Sequence, residues 1–545
     1  MVLAGIVVLI ASILSFTNAV PGNLDDAFIT LVYARHLLED QSLYWNLQDG
    51  SIDGFTSLLD VWVKAAALAV SDDPLAMARD VSLTAHIVVG GSCVAFVAAA
   101  GFALGPVRAI AAGVVTGAAV SLHPAPAHAA SFLLESPMYA ALAIGCAALP
   151  LCVDLSTQTR GRRAWVAVLM LACLVRPEAQ ALAVGLAGLY AWLGAQGSPS
   201  RVRFVPLASV AAALAVYYVW HLLYFGALFP NTFYAKSSAS RGQEVADGLA
   251  YLRDFAGVHG ILGWLTLALP LLVALPLAMA DWAHESARRR HTFVASAAVV
   301  TLLMVVWEGG DSYTGGRFLA VPIALSLVAC GHVATCGPRI PKQIAWVTLV
   351  SAAVLGALFQ LRAFAKGNQN SPIAASVEDY GCEKQAARAL AQVLPSGEVM
   401  QTDWQRLKFF EDDLRVIDLH GLNDRNIARQ TIDGPVRYGK FTHANALEVG
   451  ADVWVYGHRL ATEIPMAAVP IDLLLRHPPT YERFVGYEAP QEVVEPLRAA
   501  YLPASFPVCK RFFNVLVRRE HAATLARSGV LVGDGKGGPF ADSAE

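Results

Sequence analysis

"MVLAGIVVLIASILSFTNAVPGNLDDAFITLVYARHLL", residues 1–38, sets the reading of the whole chain. Residues 1–20 are predominantly apolar and long enough to cross a bilayer. The block lacks the basic n-region of a secretory signal, and Asp25 and Asp26 stand where mature sequence would begin. It therefore reads as a retained helix, with a cleaved leader as the minor alternative. Carboxylates at membrane depth cost roughly 2.5–3.5 kcal/mol each on insertion scales. A pair placed where a helix leaves the bilayer is a functional candidate, and it points to chemistry at the membrane surface.

Composition agrees. Of 545 residues, 56% are hydrophobic and 15% charged, with a mean hydropathy of +0.49. Soluble domains carry about 25% charged residues, so the class is membrane protein. A formal net charge of -3 gives no basic surface for nucleic acid, and none is expected as a partner. Apolar blocks fill most of residues 1–361, and charge concentrates beyond them. Cys93, Cys146, Cys152, Cys173, Cys330 and Cys336 lie in or beside apolar blocks and act as small hydrophobes. Cys382 and Cys509 are the two in the polar C-terminal region. Outside the cytoplasm, a disulfide between them and two free thiols are both open.

The apolar blocks suggest about eleven spans, centred near Leu9, Val94, Val115, Ile144, Leu169, Leu186, Ala213, Leu269, Val299, Leu325 and Val350. Arg108, the Arg160/Arg162/Arg163 cluster, Arg201/Arg203, residues 288–290 and Arg339/Lys342 occupy alternate connections, which the positive-inside rule makes cytoplasmic. Residues 25–80, 123–137, 176–178, 225–259 and 307–316 then face outward. In the first outward connection, "DDAFITLVYARHLL" and "SLLDVWVKAAALAV" carry apolar residues at helical spacing and are expected as interfacial helices on the outer leaflet.

Beyond residue 361 the periodicity changes. "EVMQTDW", "LRVIDLHG" and "ADVWVYGH" read as strands, and "EKQAARALAQVLPSG" reads as a helix ended by Pro and Gly. The expected fold is a polytopic α-helical membrane module, residues 1–361, followed by an extracytoplasmic α/β domain, 362–528, and a disordered tail, 529–545. There is no internal repeat, P-loop, dinucleotide-binding glycine pattern or metal-ligand spacing.

The outward connections contain "NLDDAFI" (23–29), "DGFTS" (53–57), "FLLESPMYAAL" (132–142), "RPEA" (176–179), "FPNTFYAK" (229–236) and "WEGGDSYTGGRF" (307–318). The polar region adds "RVIDLHGLNDRNIAR" (415–429). This ordered set resembles the polytopic glycosyltransferases of the GT-C superfamily, in the mycobacterial terminal arabinofuranosyltransferase branch, and spans nearly the whole chain. The chain departs from the branch in "SYTGG", at Leu58 where a Pro is usual, and at Trp404 and Gln405 where small residues are usual.

The resemblance implies the GT-C fold and transfer of a sugar, D-arabinofuranose as first choice, from a polyprenyl-phosphate lipid to a hydroxyl of a cell-envelope glycan or glycolipid. It implies a bacterial cytoplasmic membrane with the site on the extracytoplasmic side. A carboxylate must take the proton from the attacking hydroxyl, and one near apolar surface is the better base for its raised pKa. Asp26 is preferred slightly, with Asp25 as its hydrogen-bonding partner, and capping of the following helix is the structural alternative. Arg176, Lys236 and Arg317 are candidates for the lipid phosphate, ahead of His123 and His128; snorkelling toward headgroups is the alternative for each cation. Glu135, Glu178 and Asp311 would hold sugar hydroxyls or orient those cations. Asn231, Tyr234 and His420, with Asp418, would meet sugar or acceptor. No cofactor or metal is required; a divalent cation on Asp25, Asp26 and Asp311 stays open. The competing readings are a GT-C enzyme using a hexose such as mannose, a flippase for a polyprenyl-linked sugar, and a non-catalytic glycan-binding relic. The one-sided clustering of polar residues disfavours the flippase, and the intact acid pair disfavours the relic.

Overall fold

The computed structural model describes residues 2–19, 25–155, 157–193, 200–237, 240–261, 263–265, 267–268, 285–311, 315–337, 339–365, 372–394, 397–402, 404–432, 439–455, 460–461, 465–476 and 489–539. The chain divides into two compact units. One holds Met1–Ala27, Thr56–Gly226 and Ser240–Ser371; the other holds Phe28–Phe55, Ala227–Ala239 and Pro372–Glu545.

The described part of the first unit is helical. Four helices are long and apolar enough to cross a membrane: Pro74–Leu104, Val202–Phe225, Arg317–Cys336 and Ile340–Ala365. Pro106–Leu122 and Pro124–Ser131 form a fifth if the pair, bent by 57°, is one span. The bend has a local cause. His123 precedes a proline and is driven to extended backbone, φ -64° and ψ 136°. Its Nδ1 then accepts from the Ala125 amide at 3.1 Å and caps the second half. Every expected span centre except Leu269 lies in a helix, and Leu269 is outside the described residues. The protein is thus a multi-pass membrane protein, and among the described residues four or five of the expected spans pass this length and apolarity test. Other expected blocks fold as shorter helices, 14 residues at Thr159–Ala172 and 17 at Pro177–Leu193.

The Ala320–Cys336 helix is buried on all sides and forms the centre of this unit. Pro74–Gly101 and Pro106–Leu122 pack backbone to backbone. A Cβ on Gly113 would meet the Val94 carbonyl at 2.8 Å, and one on Gly117 the Gly90 carbonyl at 2.8 Å, the close approach that small residues allow in membranes. The Leu58–Leu68 helix corrects the interfacial expectation. It buries Asp60 and Lys64 along with Leu58, Val61 and Ala65, while Trp62 is exposed.

The second unit is a mixed sheet with helices. Its strands are β1 (Glu398–Gln401), β2 (Arg415–Asp418), β3 (Val453–Val455), β4 (Leu460–Ala461), β5 (Tyr501–Val508), β6 (Arg511–Arg518) and β7 (Leu531–Val532). The order is β2-β1-β3-β6-β5-β7, with β4 also on β6. β1, β2 and β3 are parallel and match the three expected strands; the β5–β6 hairpin is antiparallel. Its turn, Cys509 and Lys510, has φ 48° and 62°, a two-residue connection with both residues left-handed, suited to the twist of the flanking strands. Cys382 and Cys509 are disulfide-bonded, Cα to Cα 5.7 Å, tying this turn to the Pro372–Val393 helix.

Two expectations about this unit are revised. The tail was expected to be disordered from 529 on, yet Leu531 and Val532 pair with Ser505 and Ala504 and extend the sheet at its edge; residues 540–545 lie outside the described part. The helix Asp25–Asp40 was expected on the leaflet. Its Phe28, Leu31, Val32, Tyr33, Ala34 and His36 are all buried, because the helix is apolar on more than one face. Phe28 sets its ring edge-on to Phe409 at 5.3 Å, and Arg35 donates to the Phe409 carbonyl at 2.7 Å.

Candidate functional site

Asp25 and Asp26 form the first turn of the Asp25–Asp40 helix. Unsatisfied N–H groups and the helix dipole favour carboxylates there. Asp25 is 2% exposed and Asp26 is half-buried, so Asp26 is the more accessible of the two.

In the first unit, "FLLES", "RPEA" and "WEGGDSYTGGRF" converge. Arg176 Nε meets the two Glu178 carboxylate oxygens at 3.1 and 3.0 Å, and Nη2 meets Oε1 at 2.6 Å. Nη1 bonds Glu135, whose other neighbour is the Thr56 hydroxyl at 3.5 Å. The Phe318 ring lies 4.8 Å from the Arg176 guanidinium carbon. Arg317 grips Asp311 with a two-point fork, 2.5 and 3.0 Å, and both residues are buried. Leu133, two residues before Glu135, holds φ 57°, a left-handed conformation that costs on the order of 1–3 kcal/mol and tends to mark working sites. Its carbonyl accepts from Lys64 Nζ at 3.0 Å.

A small cavity between these groups is lined by Tyr139, Arg176, Glu178, Glu308 and Arg317, among others. Both expected phosphate-binding arginines line it, but each already carries a carboxylate, so an anion entering here must share or displace one. The glycines of the last motif have packing reasons. Gly310 (φ 71°) and Gly316 (φ 79°) lie against the rings of Tyr251 and Phe255, where a Cβ would come within 2.5 Å. His123 spends its Nδ1 on the Ala125 amide, so it is a helix cap.

In the second unit, "DGFTS", "FPNTFYAK" and "DLHGLND" interlock. Asn231 Nδ2 donates to the carbonyls of Gly421, Leu422 and Asp424 at 2.8, 3.1 and 3.1 Å, and its backbone amide donates to the Asp53 carbonyl at 2.7 Å. Asn231 therefore positions a loop with groups it was expected to offer a sugar. Asp418 is fully buried and accepts from the His420 and Asn423 amides, both at 3.0 Å, and from Asn423 Nδ2 at 3.2 Å. Burial pushes its carboxyl above the usual range, although His420 and these donors pull the other way. Tyr33 donates to the Ile52 carbonyl at 2.7 Å and lies 3.3 Å from Asn423 Oδ1. A Cβ on Gly54 would sit 1.8 Å from that same Oδ1, which explains the Gly of "DGFTS". Tyr234 lies under the Arg429 guanidinium at 5.3 Å, and Lys236 is exposed. His420 is buried beside Phe441.

Sequence reasoning passed over Glu308, Asp60, Lys64, Tyr33 and Asn423. The available signals were "EGG" directly after an apolar block and an acid–base pair four residues apart on an otherwise apolar helix. Among the described residues, the three-ligand group with donor atoms all within 4.8 Å of one another is Asp452, Glu520 and His521. Asp25, Asp26 and Asp311 are not gathered in this way.

No protein-family model matches the chain, and a search of curated proteins returns no match. Among solved structures, the chain is similar to ArnT from Cupriavidus metallidurans, crystallised bound to undecaprenyl phosphate. The TM-score is 0.52 at 14% identity, over 83% of this chain and 92% of that one. The likeness is one of fold.

Proposed function

We propose that the protein is an integral membrane glycosyltransferase of the GT-C type that takes a sugar from a polyprenyl-phosphate lipid. The observation that carries this reading is the fold shared with a protein crystallised with undecaprenyl phosphate, over most of both chains. The ordered motifs support it, since Glu135, Arg176, Glu178, Asp311 and Arg317 come together in one cluster, and Asp53, Asn231 and the 421–424 loop in another.

In this reading Asp26 accepts the proton of the incoming hydroxyl while Asp25 positions it. The acceptor oxygen bonds C1 from the face opposite the phosphate, the C1–O bond to phosphate breaks, and the anomeric centre inverts. The polyprenyl phosphate leaves with the bonding pair. Arg176 and Arg317 meet the growing phosphate charge, with Glu135, Glu178 and Asp311 orienting them. The sugar is D-arabinofuranose and the acceptor a cell-envelope glycan. The eleven-span topology, with the site outside the cytoplasmic membrane, belongs to the same proposal; the disulfide suits an oxidising compartment.

The test uses membranes containing the full chain, supplied with radiolabelled decaprenyl-phosphoryl arabinose or mannose and a cell-wall glycan acceptor. Asp26→Asn is expected to lose about 10²–10⁴-fold in transfer, with a smaller loss for Asp25→Asn. Arabinose transfer undiminished in both variants sinks the mechanism. Transfer from the mannosyl donor alone replaces the sugar, and translocation without transfer replaces the enzyme by a flippase.

A further inference from the structure

We propose that Lys64 is a positioning residue: it clamps the Leu133 carbonyl and thereby holds Glu135 in register with Arg176. The clamp rests on geometry within the first unit. That the register serves a phosphate rests on the function proposed above.

The turn begins where the Pro124–Ser131 helix stops. The Phe132 amide donates to the His128 carbonyl and the Leu133 amide to the Ala130 carbonyl, both at 3.2 Å. Ser82 Oγ donates to that same Ala130 carbonyl at 2.7 Å. Residues 132–135 then lead into the Ser136–Cys152 helix, with Leu133 left-handed at φ 57°. A left-handed residue just past a helix is ordinarily glycine, because a side chain there crowds the backbone. Leucine in that place calls for an outside tie, and Lys64 supplies it: Nζ donates to the Leu133 carbonyl at 3.0 Å. A hydrogen bond from a charged donor is on the scale of the left-handed penalty, so the tie decides whether the turn stays closed.

Lys64 is itself anchored. Its Nζ lies 2.7 Å from Asp60 Oδ2, and both side chains are 1% exposed. A buried ion pair stabilises a fold no more than apolar side chains of the same volume. What apolar side chains cannot do is hold a carbonyl, and an ammonium has three N–H groups to share.

The start of the Leu58–Leu68 helix works on the same two segments. Amides of a first helical turn have no partner within the helix. That of Asp60 goes to Ser57 Oγ at 3.1 Å, and that of Leu59 to the Leu174 carbonyl at 3.0 Å, two residues before Arg176. Thr56 places its hydroxyl 3.5 Å from Glu135 Oε1. One helix therefore ties both the segment carrying Glu135 and the segment carrying Arg176, and the two meet where Arg176 Nη1 bonds Glu135 Oε1. On its other side Glu135 is fixed by the following helix, its carbonyl accepting from the Tyr139 amide at 2.9 Å.

The experiment uses the purified full chain in lipid nanodiscs. Lys64→Met alone strands the Asp60 charge, so the working variant is Asp60→Leu/Lys64→Met, which removes both charges together with the tie to Leu133. Hydrogen exchange of the 132–142 peptide is expected to quicken by about tenfold, the scale of one hydrogen bond, while the 320–336 peptide stays as protected as in wild type. With undecaprenyl phosphate as the binding probe, affinity should fall by about tenfold in this variant and likewise in Glu135→Gln. The three substitutions combined should cost no more than either, because Lys64 acts through Glu135. Exchange unchanged at 132–142, or raised equally in both peptides as a merely structural pair would give, overturns the clamp. Undiminished affinity, or losses that add, overturns the action through Glu135. A wild-type chain that does not bind the probe overturns the lipid reading and the phosphate clause with it, while the exchange result still decides the clamp.

Discussion

Lys64 Nζ stands 2.7 Å from Asp60 Oδ2, one helical turn away, with each side chain 1% exposed. Removing one partner leaves a buried charge uncompensated, which costs about 3–5 kcal/mol. Lys64→Met or Asp60→Asn should each destabilise the protein by that amount in thermal melts of the detergent-purified chain. The Asp60→Leu/Lys64→Met pair should recover most of the loss. Additive losses would mean that the two charges do not depend on each other.

Asn231 is a second such point. Asn231→Ala strands three carbonyls of the 421–424 loop and is expected to lose about 1–3 kcal/mol. Asn231→Asp should be worse, since it sets an acceptor against acceptors. Limited proteolysis around residues 415–429 reads the effect directly. Unchanged protection in both variants would show that the loop holds itself.

His443 makes stability depend on pH. Burial lowers its pKa from 6.5 to about 4. As pH falls below 6.5 the unfolded chain takes up a proton that the folded chain refuses, so stability drops between pH 6.5 and about 4. The full drop is on the order of 3 kcal/mol. His443→Gln should flatten this window in denaturant titrations. Asp412 acts in a different one. Burial pushes its carboxyl up, but the His36 hydrogen bond and the charges of Lys408 and Arg35 win and hold it well below the usual range. Its contribution is present above the ordinary aspartate pKa and is lost only in stronger acid.

The disulfide closes a separation of 127 residues. Reduction is expected to cost on the order of 4 kcal/mol through the freed unfolded chain. Melting with and without reductant should differ for wild type and coincide for Cys382→Ser/Cys509→Ser. A wild-type melt indifferent to reductant would show that the bridge does not stabilise the fold.

The helices, the three parallel strands and the convergence of Glu135, Arg176 and Glu178 were legible because apolar periodicity and local motifs carry them. The β5–β6 hairpin was not. Pro503 and Pro507 interrupt the strand pattern, and its turn lacks the Asn-Gly signal, since Cys509 and Lys510 take left-handed backbone without it. The burial of Asp60 and Lys64 was equally hidden: an i, i+4 acid–base pair reads as a solvated face until tertiary packing covers it. Glu308 was missed because a lone glutamate after an apolar block looks like an ordinary helix end. Its place beside Arg176 and Glu178 in the lining of one cavity shows only in the fold.

The second unit draws on three stretches that the ribosome delivers far apart: Phe28–Phe55, then Ala227–Ala239, and Pro372–Glu545 last. Tyr33 waits for Asn423, and Asn231 for Gly421, until translation is nearly over. During that interval the apolar faces of the early stretches have no native cover and invite capture by chaperones or lipid. A stop codon near residue 371 would therefore do more than delete a terminal domain. It would orphan segments at the opposite end of the polypeptide, so nonsense and frameshift lesions late in the reading frame should be as damaging as early ones.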